Sequence, residues 1–498
     1  MLHFFKKYTL FLSLQLLLLC FIFVSFCIEA FSFIDYDFGW HLQLGKYILL
    51  SGIPKTDPFS YTMSNYPLID HEWLTNIFFA KIYPFIGFYG LSTLFCIIAL
   101  LPFIVVVLRY RSKITFSLLL LLAGSLIDFV GIRPKLFDWV FAAIFFLLFS
   151  SSKLWTKYRY ISPVIMLLWV NIHGGFAIGI FFLLLYIVSK AVQEKQVNKQ
   201  DILVLFTSLF ATCINPYGIT VWRVVWDSLG DPQLHTRILE WMPSFTFLNL
   251  FLCCYITLSL VFFIKYIKHL SVHQRVFYIV LFCLGISVYR HMPFWLLYSL
   301  PITIQTIRLF VKDTRTIPFG QKRLSIVYVL FLLLIGSLWI ITYWQLLPLK
   351  KPDAFYPTKA IAYLRAHPFS GQLFAPYEWG GYLIWQYPQK KVFIDGLMPS
   401  WRWHSPDTTQ SNDAFTEYEQ TINGTTSFSS LLSRYHISRI LFFKALADVP
   451  SQRVRSRIQA APQWLIHYND APQKLVSQLQ ASGMHLIYKD AVSVIYGK

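Results

Sequence analysis

The feature that most constrains this chain is a series of long apolar runs joined by short links. The runs lie near 9–33, 88–108, 114–132, 136–152, 160–173, 175–192, 201–216, 247–265, 275–290, 292–308 and 325–346. A bilayer core demands about 20 apolar residues of a spanning helix, and fewer where an end is buried in protein, so the runs predict about 11 transmembrane helices. Only 13% of the residues are charged and 56% are hydrophobic, whereas soluble domains carry roughly twice that charged share. A multi-pass α-helical membrane protein is the only reasonable class. The first run follows Lys6 and Lys7, exceeds the apolar core of a signal peptide and lacks a small-x-small cleavage site, which predicts a retained first helix.

Charge sets the orientation. The net charge of +19 would suit nucleic acid if the basic residues formed one patch. They fall instead in alternate links: Lys6/Lys7, Arg109/Arg111/Lys113, Lys153/Lys157/Arg159, Lys190/Lys195/Lys199, Lys265/Lys268/Arg275 and the stretch from Arg308 to Arg323. By the positive-inside rule these links and the N-terminus are cytoplasmic, and no nucleic-acid partner is expected. The other links carry the unusual polar residues: 34–87, the IRPK turn, NIHGG at 171–175, the NPYG segment running on to 245, and YRH at 289–291. An odd number of spans puts residues 347–498 outside as well, on a protein of the cell membrane. The 7 cysteines all lie in or beside apolar runs, so they read as small fillers and not as a disulfide framework or a zinc site.

Residues 347–498 change character and predict a small extracytoplasmic α/β domain. Its β-like runs are 372–376, 391–395, 439–444, 464–468 and the HLIYKDAVSVIY stretch, alternating with helix-like 358–366 and 428–435. Asn423-Gly424-Thr425 fits the N-glycosylation pattern.

The loop after the first run concentrates the chemistry. Asp35, Asp37, His41, Asp57, His71 and Glu72 are interleaved there with Trp40, Phe59, Tyr61 and Trp73. Carboxylates at a membrane boundary cost free energy unless solvated or paired, which makes the loop a candidate site rather than a run of solvated turns. Asp35 and Asp37 converge only in an extended or turn segment. One can act as general base while the other caps a helix expected over 39–50, and Asp37 is the choice for the base, with Asp35 for the cap. His71 and Glu72 open a helix over 72–83. They can bind a divalent cation or position an acceptor, or Glu72 can simply favour the helix N-terminus.

Arg133 and Arg290 stand at the ends of apolar helices on the non-cytoplasmic side, placed for bidentate contact with a lipid phosphate or for snorkelling to headgroups. His173, before Gly174 and Gly175, sits where a helix breaks, facing a cavity or buried as a structural histidine. In the C-terminal domain Trp379, Tyr382 and Asp395 are candidates for an acceptor-facing surface, since Trp and Tyr stack on sugars; a tight turn around a packed Trp is the competing reading.

Taken with these residues, the motifs DYDFGWHLQLGKYI, IPKTDPFSYT, DHEWL, IRPKLF, LWVNIHGGFAIG, NPYG and EWGGYLIWQYPQKKVFIDG resemble the GT-C superfamily of integral-membrane glycosyltransferases, and more closely prokaryotic glycosyltransferase-39-like membrane proteins. The resemblance runs from residue 35 to about 396. It implies a GT-C-like transmembrane domain over 1–346, with a catalytic first outer loop at 34–87. It also implies a polyprenyl-phosphate-linked sugar donor, inverting transfer to a glycan, lipid or protein acceptor at the outer face, and Asp37 as base. Glu72 with His71 would fill the second functional position of the loop, a divalent metal ion being the one cofactor to consider. Arg133 and Arg290 would meet the donor phosphate. The chain departs from the pattern at Leu397, where an Arg is expected, with Arg402 a few residues later. Two other classes compete: a transporter or flippase, which would spread polar residues through mid-membrane depth, and a non-catalytic envelope assembly protein.

Overall fold

The computed structural model describes residues 2–110, 113–246, 249–315, 320–346, 355–444 and 471–498. The chain divides into two compact units. One comprises Met1–Phe33, Ile86–Val225 and Leu239–Leu349; the other comprises Ile34–Phe85, Trp226–Ile238 and Lys350–Lys498.

The first unit is helical, and each of the apolar runs forms helix over most of its described residues. Their lengths differ from the expectation of about 11 spans. Among the described residues, 6 helices are long and apolar enough to cross a membrane, or up to 7 if the bent pair Leu136–Phe149 and Ser152–Ile172 is one span. The shortfall is geometric. The Ser162–Ile172 helix has 11 residues and Lys199–Ala211 has 13, about 16–20 Å at 1.5 Å per residue, well short of a bilayer core. Short apolar helices of this kind need cover from neighbours, and aromatic packing supplies it. Phe149 stacks on Tyr186 with ring centroids 4.2 Å apart, and Phe263 on Tyr278 at 3.8 Å. A buried Asp201 joins three elements by accepting from Trp155 Nε1 at 2.8 Å, Arg159 Nη1 at 2.9 Å and Lys190 Nζ at 2.6 Å.

The second unit is built on a four-stranded sheet in the order β1-β2-β4-β3. Strand β1 (Gln372–Phe374) runs parallel to β2 (Ile437–Phe443), which pairs antiparallel with β4 (Ser493–Gly497); β3 (His485–Lys489) forms a hairpin with β4. Asp490 makes that hairpin turn, its Oδ1 accepting from Val492 N and Ser493 N at 2.7 Å each. The helices at Thr358–Ala366 and Phe428–Arg434 form where expected. The run 391–395 does not become a strand. Val392 makes a single parallel bridge with Ser60, because its edge meets only a short stretch of loop: Val392 N donates to Phe59 O at 3.0 Å and Tyr61 N to Val392 O at 3.1 Å. The run 464–468 lies outside the described residues.

The loop after the first run is thus part of this α/β core. The Phe38–Ser51 helix places Trp40, Leu44 and Ile48, one apolar stripe at i, i+4 and i+8, in the same core as Leu373, Phe374 and Ile440. The helix beginning at Trp73 runs to Arg109 and is broken at Gly87, whose φ of 62° is one a side chain would resist.

Candidate active site

Asp35 and Asp37 lie in a turn, as convergence requires, but their roles differ from the expectation. Asp37, not Asp35, occupies the N-cap position of the Phe38–Ser51 helix, and it makes no capping bond. Its backbone is in the right-handed helical region (φ −89°, ψ −16°), whereas a capping side chain needs an extended backbone to reach back to the first amides. Asp35 Oδ1 instead accepts from Asp37 N at 3.1 Å, closing the turn that presents Asp37. The Asp37 carboxylate is oriented by Trp40, whose Nε1 donates to Oδ1 at 2.9 Å.

Glycines on the C-terminal segment make room for this arrangement. A Cβ on Gly396 would overlap Asp37 Oδ1, and one on Gly381 would overlap Tyr36 O. Gly39 and Gly381 face each other so closely that a Cβ on Gly39 would overlap the Gly381 carbonyl. The Gly380–Gln386 helix therefore packs against the Phe38–Ser51 helix with backbone nearly touching backbone.

Two further acids lie beneath. Asp57 is buried and accepts from Phe59 N at 3.0 Å and Ser60 N at 2.8 Å. Burial raises its pKa against those hydrogen bonds and the attraction of Lys391. Asp395 is fully buried; its Oδ1 accepts from Leu397 N at 2.8 Å, and its Oδ2 has no hydrogen-bond partner among the described residues. Burial pushes its carboxyl well above the usual range, and the charges of Asp57 and Asp37 push the same way against the Leu397 hydrogen bond. Both groups thus favour the protonated form more than a solvated aspartate does.

Beside them runs a second polar chain. Asp70 caps the helix that begins at Trp73, its Oδ1 accepting from Glu72 N at 3.0 Å and its Oδ2 from Asn76 Nδ2 at 2.9 Å. Burial pushes its carboxyl up to about 6 despite those two bonds. With its NH2 turned to Asp70, the Asn76 amide offers its oxygen to His41 Nδ1 at 2.6 Å, which puts the His41 proton on Nδ1 and turns Nε2 toward Glu72 Oε2 at 3.6 Å. His71 Nε2 stands 3.7 Å from the other Glu72 oxygen. Glu72 therefore faces two imidazoles. Among the described residues no group of three or more His, Cys, Asp or Glu side chains is placed to hold a metal ion.

Trp379 and Tyr382 are not a sugar-facing surface. Trp379 is fully buried, donates Nε1 to Phe355 O at 3.1 Å and packs on Phe443; Tyr382 stacks on Tyr356 at 4.3 Å and hydrogen-bonds Thr358. They form the packed turn that the tight Gly-Gly approach requires. Leu397, in place of the expected Arg, donates its amide to Asp395 and packs against the α/β core. Arg402 is engaged elsewhere, with Asp231 at 3.2 Å, Gln233 at 2.7 Å and Asp413 at 3.0 Å.

The first unit holds the remaining predicted residues. His173 is buried, its Nδ1 2.8 Å from Asp138 Oδ2, and Trp169 Nε1 donates to Asp138 Oδ1 at 2.6 Å. A Cβ on Gly175 would strike this carboxylate, so the glycine is explained by packing. Of the two readings of His173, the geometry is that of the buried, hydrogen-bonded one. Arg133 Nη1 contacts Glu240 Oε1 at 2.8 Å, Lys135 Nζ reaches the same oxygen at 2.8 Å, and the Arg290 guanidinium lies 4.4 Å from the centre of the Trp241 ring.

Several of these residues escape sequence reasoning. Lys135 sits in the IRPK turn beside Arg133 yet reads as an ordinary surface lysine, and Glu240 is 107 residues from Arg133. Asp70 had a usable signal, an Asp in the turn three residues ahead of the helix start at Trp73.

No family model matches this sequence, and no curated protein matches it significantly. Solved structures do resemble it. The oligosaccharyltransferase of Archaeoglobus fulgidus tethered through a disulfide to an acceptor peptide containing the NVT sequon aligns with a TM-score of 0.57 at 11% identity, covering 99% of this chain and 74% of that one. The apo form of the Archaeoglobus fulgidus enzyme aligns with a TM-score of 0.54 at 10% identity, covering 87% and 70%. The likeness is one of fold: apolar helices with a small C-terminal α/β domain, as in these oligosaccharyltransferase structures.

Proposed function

We propose that this GT-C-fold membrane protein is a glycosyltransferase that moves a sugar from a polyprenyl-phosphate-linked donor to an acceptor hydroxyl or amide at the outer face of the cell membrane. The observation that carries the reading is Asp37: a carboxylate aimed by Trp40 and seated on Gly396, on a fold shared with an oligosaccharyltransferase. In this reading Asp37 takes the acceptor proton as the acceptor attacks the anomeric carbon. The bond to the donor phosphate breaks on the opposite face, polyprenyl phosphate leaves with the electron pair, and the configuration inverts. Arg133 and Arg290 meet the leaving phosphate, as Arg suits.

Glu72 and His71 are the residues that would hold a divalent ion, two donors where such an ion takes six or more, the rest coming from phosphate and water.

The test is transfer from a panel of radiolabelled polyprenyl-phosphate sugars by purified protein and by Asp37→Asn, with and without chelator. Transfer or donor hydrolysis lost in the variant supports the enzyme class and the base. Chelator sensitivity that Glu72→Gln abolishes assigns the ion. Intact donors throughout, with an unchanged cellular phenotype in Asp37→Asn, overturn the reading.

A further inference from the structure

The cations of the first unit do more than flank a membrane helix. Arg133 Nη1 donates to Glu240 Oε1 at 2.8 Å, and Lys135 Nζ makes an ion pair with the same oxygen at 2.8 Å. The charge of Arg290, next to Trp241, also bears on both Glu240 and Lys135. Two cations thus touch one carboxylate, and a third is near enough for its charge to act on it. Asp128 is a further acid in this region; it accepts from Asn249 Nδ2 at 3.3 Å, and its charge acts on Tyr289.

Burial decides how this cluster behaves when empty. The Lys135 side chain is only 10% exposed, and a buried ammonium without an anion is costly. Glu240 removes that cost. Its own side chain is 35% exposed and is carried on a single 3-10 turn, Leu239–Trp241, which no long helix holds rigid. The carboxylate oxygen sits where an oxygen of an incoming anion would be gripped by the same two donors. Burial pulls Lys135 down to about 8, with Arg133 and Arg290 adding to the effect and Glu240 opposing it. Burial disfavours ionised Glu240, yet the three cations together outweigh it and hold its carboxyl below the ordinary range.

We propose that Arg133, Lys135 and Arg290 form one phosphate-binding site in which Glu240 is an internal counter-ion that the ligand displaces, and that the site takes a diphosphate in preference to a monophosphate. The preference follows from charge. At neutral pH a diphosphate carries about one more negative charge than the monophosphate of the same lipid, so it neutralises more of the surplus of three cations over one carboxylate. The lipid identity rests on the transferase reading above, whose leaving group is then polyprenyl diphosphate; the anion site does not rest on it.

The experiment is equilibrium binding of labelled inorganic pyrophosphate, polyprenyl diphosphate and polyprenyl monophosphate to the purified full chain, compared with Glu240→Gln, Lys135→Gln and the double variant. Each variant is first checked for a monodisperse profile and a cooperative unfolding transition well above the assay temperature. Removing the counter-ion is expected to tighten pyrophosphate binding about tenfold or more, close charge pairs being coupled by at least that much. Lys135→Gln is expected to weaken it by a similar factor. Weaker binding in folded Glu240→Gln means that Glu240 orients the cations, and overturns the displacement idea. Equal or tighter binding of the monophosphate lipid overturns the diphosphate preference. Tight polyprenyl diphosphate with weak pyrophosphate identifies a lipid-linked ligand, and equal affinities identify a free diphosphate. A chain that transfers sugar yet shows no change in Glu240→Gln loses this inference while keeping the function; the converse result keeps the anion site and loses the transferase.

Discussion

Trp40 donates its indole Nε1 to Asp37 Oδ1 at 2.9 Å, across the first turn of the helix that both residues begin. The bond occupies one carboxylate oxygen and fixes the plane in which the other is presented. Trp40→Phe keeps the ring volume in the core and removes the donor. A hydrogen bond to a charged group is worth about 1.5–3 kcal/mol, so kcat is expected to fall roughly 10–100-fold with little change in KM. An unchanged kcat in the folded variant shows that Asp37 needs no such orientation.

Gly396→Ala tests the seat beneath the same carboxylate. The added methyl overlaps Asp37 Oδ1, the end of a side chain that can rotate, so the fold is expected to survive while transfer falls at least about tenfold through misplacement of the base. Gly381→Ala meets the backbone carbonyl of Tyr36 instead, and it is expected to lower yield and unfolding temperature. A thermal-shift measurement on both variants separates the two outcomes.

Asp70 supplies a pH signature. Its carboxyl is raised from 3.8 to about 6 in the folded chain, so between those values the native state holds a proton that the unfolded state has released. The stabilisation from this group is complete below about pH 4 and is lost as pH rises through about 6, a swing of about 2–3 kcal/mol. Asp70→Asn should flatten that part of the stability profile. The difference in unfolding midpoint between pH 4.5 and pH 7, in wild type and variant, is the measurement; an unchanged difference excludes Asp70 as its source.

Arg402 makes a further prediction. It ties Asp231 and Gln233 to Asp413 and to the carbonyls of Pro399 and Trp401. Arg402→Ala should release the 226–238 segment, raising its cleavage rate under limited proteolysis several-fold while global stability changes by about 1 kcal/mol or less, since the pairs are partly solvated. Equal cleavage rates would mean that other contacts hold the segment.

Much of this was legible because bilayer physics is strict. An apolar run in lipid must satisfy its own backbone, so all the runs became helices; their lengths were not legible, because a short helix sheltered by neighbours looks the same in sequence. The acidic loop was legible as a cluster, but the division of labour within it was not. Spacing alone cannot assign residues two apart, and the backbone at Asp37 decided which of the pair sits at the helix start. Trp379 and Tyr382 show another limit, since an aromatic suited to a sugar is equally suited to a core. Glu240 was invisible because its partners come from distant sequence and match no local pattern.

The near-contact of Gly39 with Gly381 has an evolutionary consequence. No side chain mediates it, so nothing at this seam can be repacked one residue at a time; a change on either strand of the chain meets bare backbone on the other. The C-terminal domain is therefore not a cassette that can be shuffled between relatives by itself. A chimera joined after the last apolar run should fail, and one that also exchanges residues 34–85 and 226–238 should fold, because inheritance acts on these segments together.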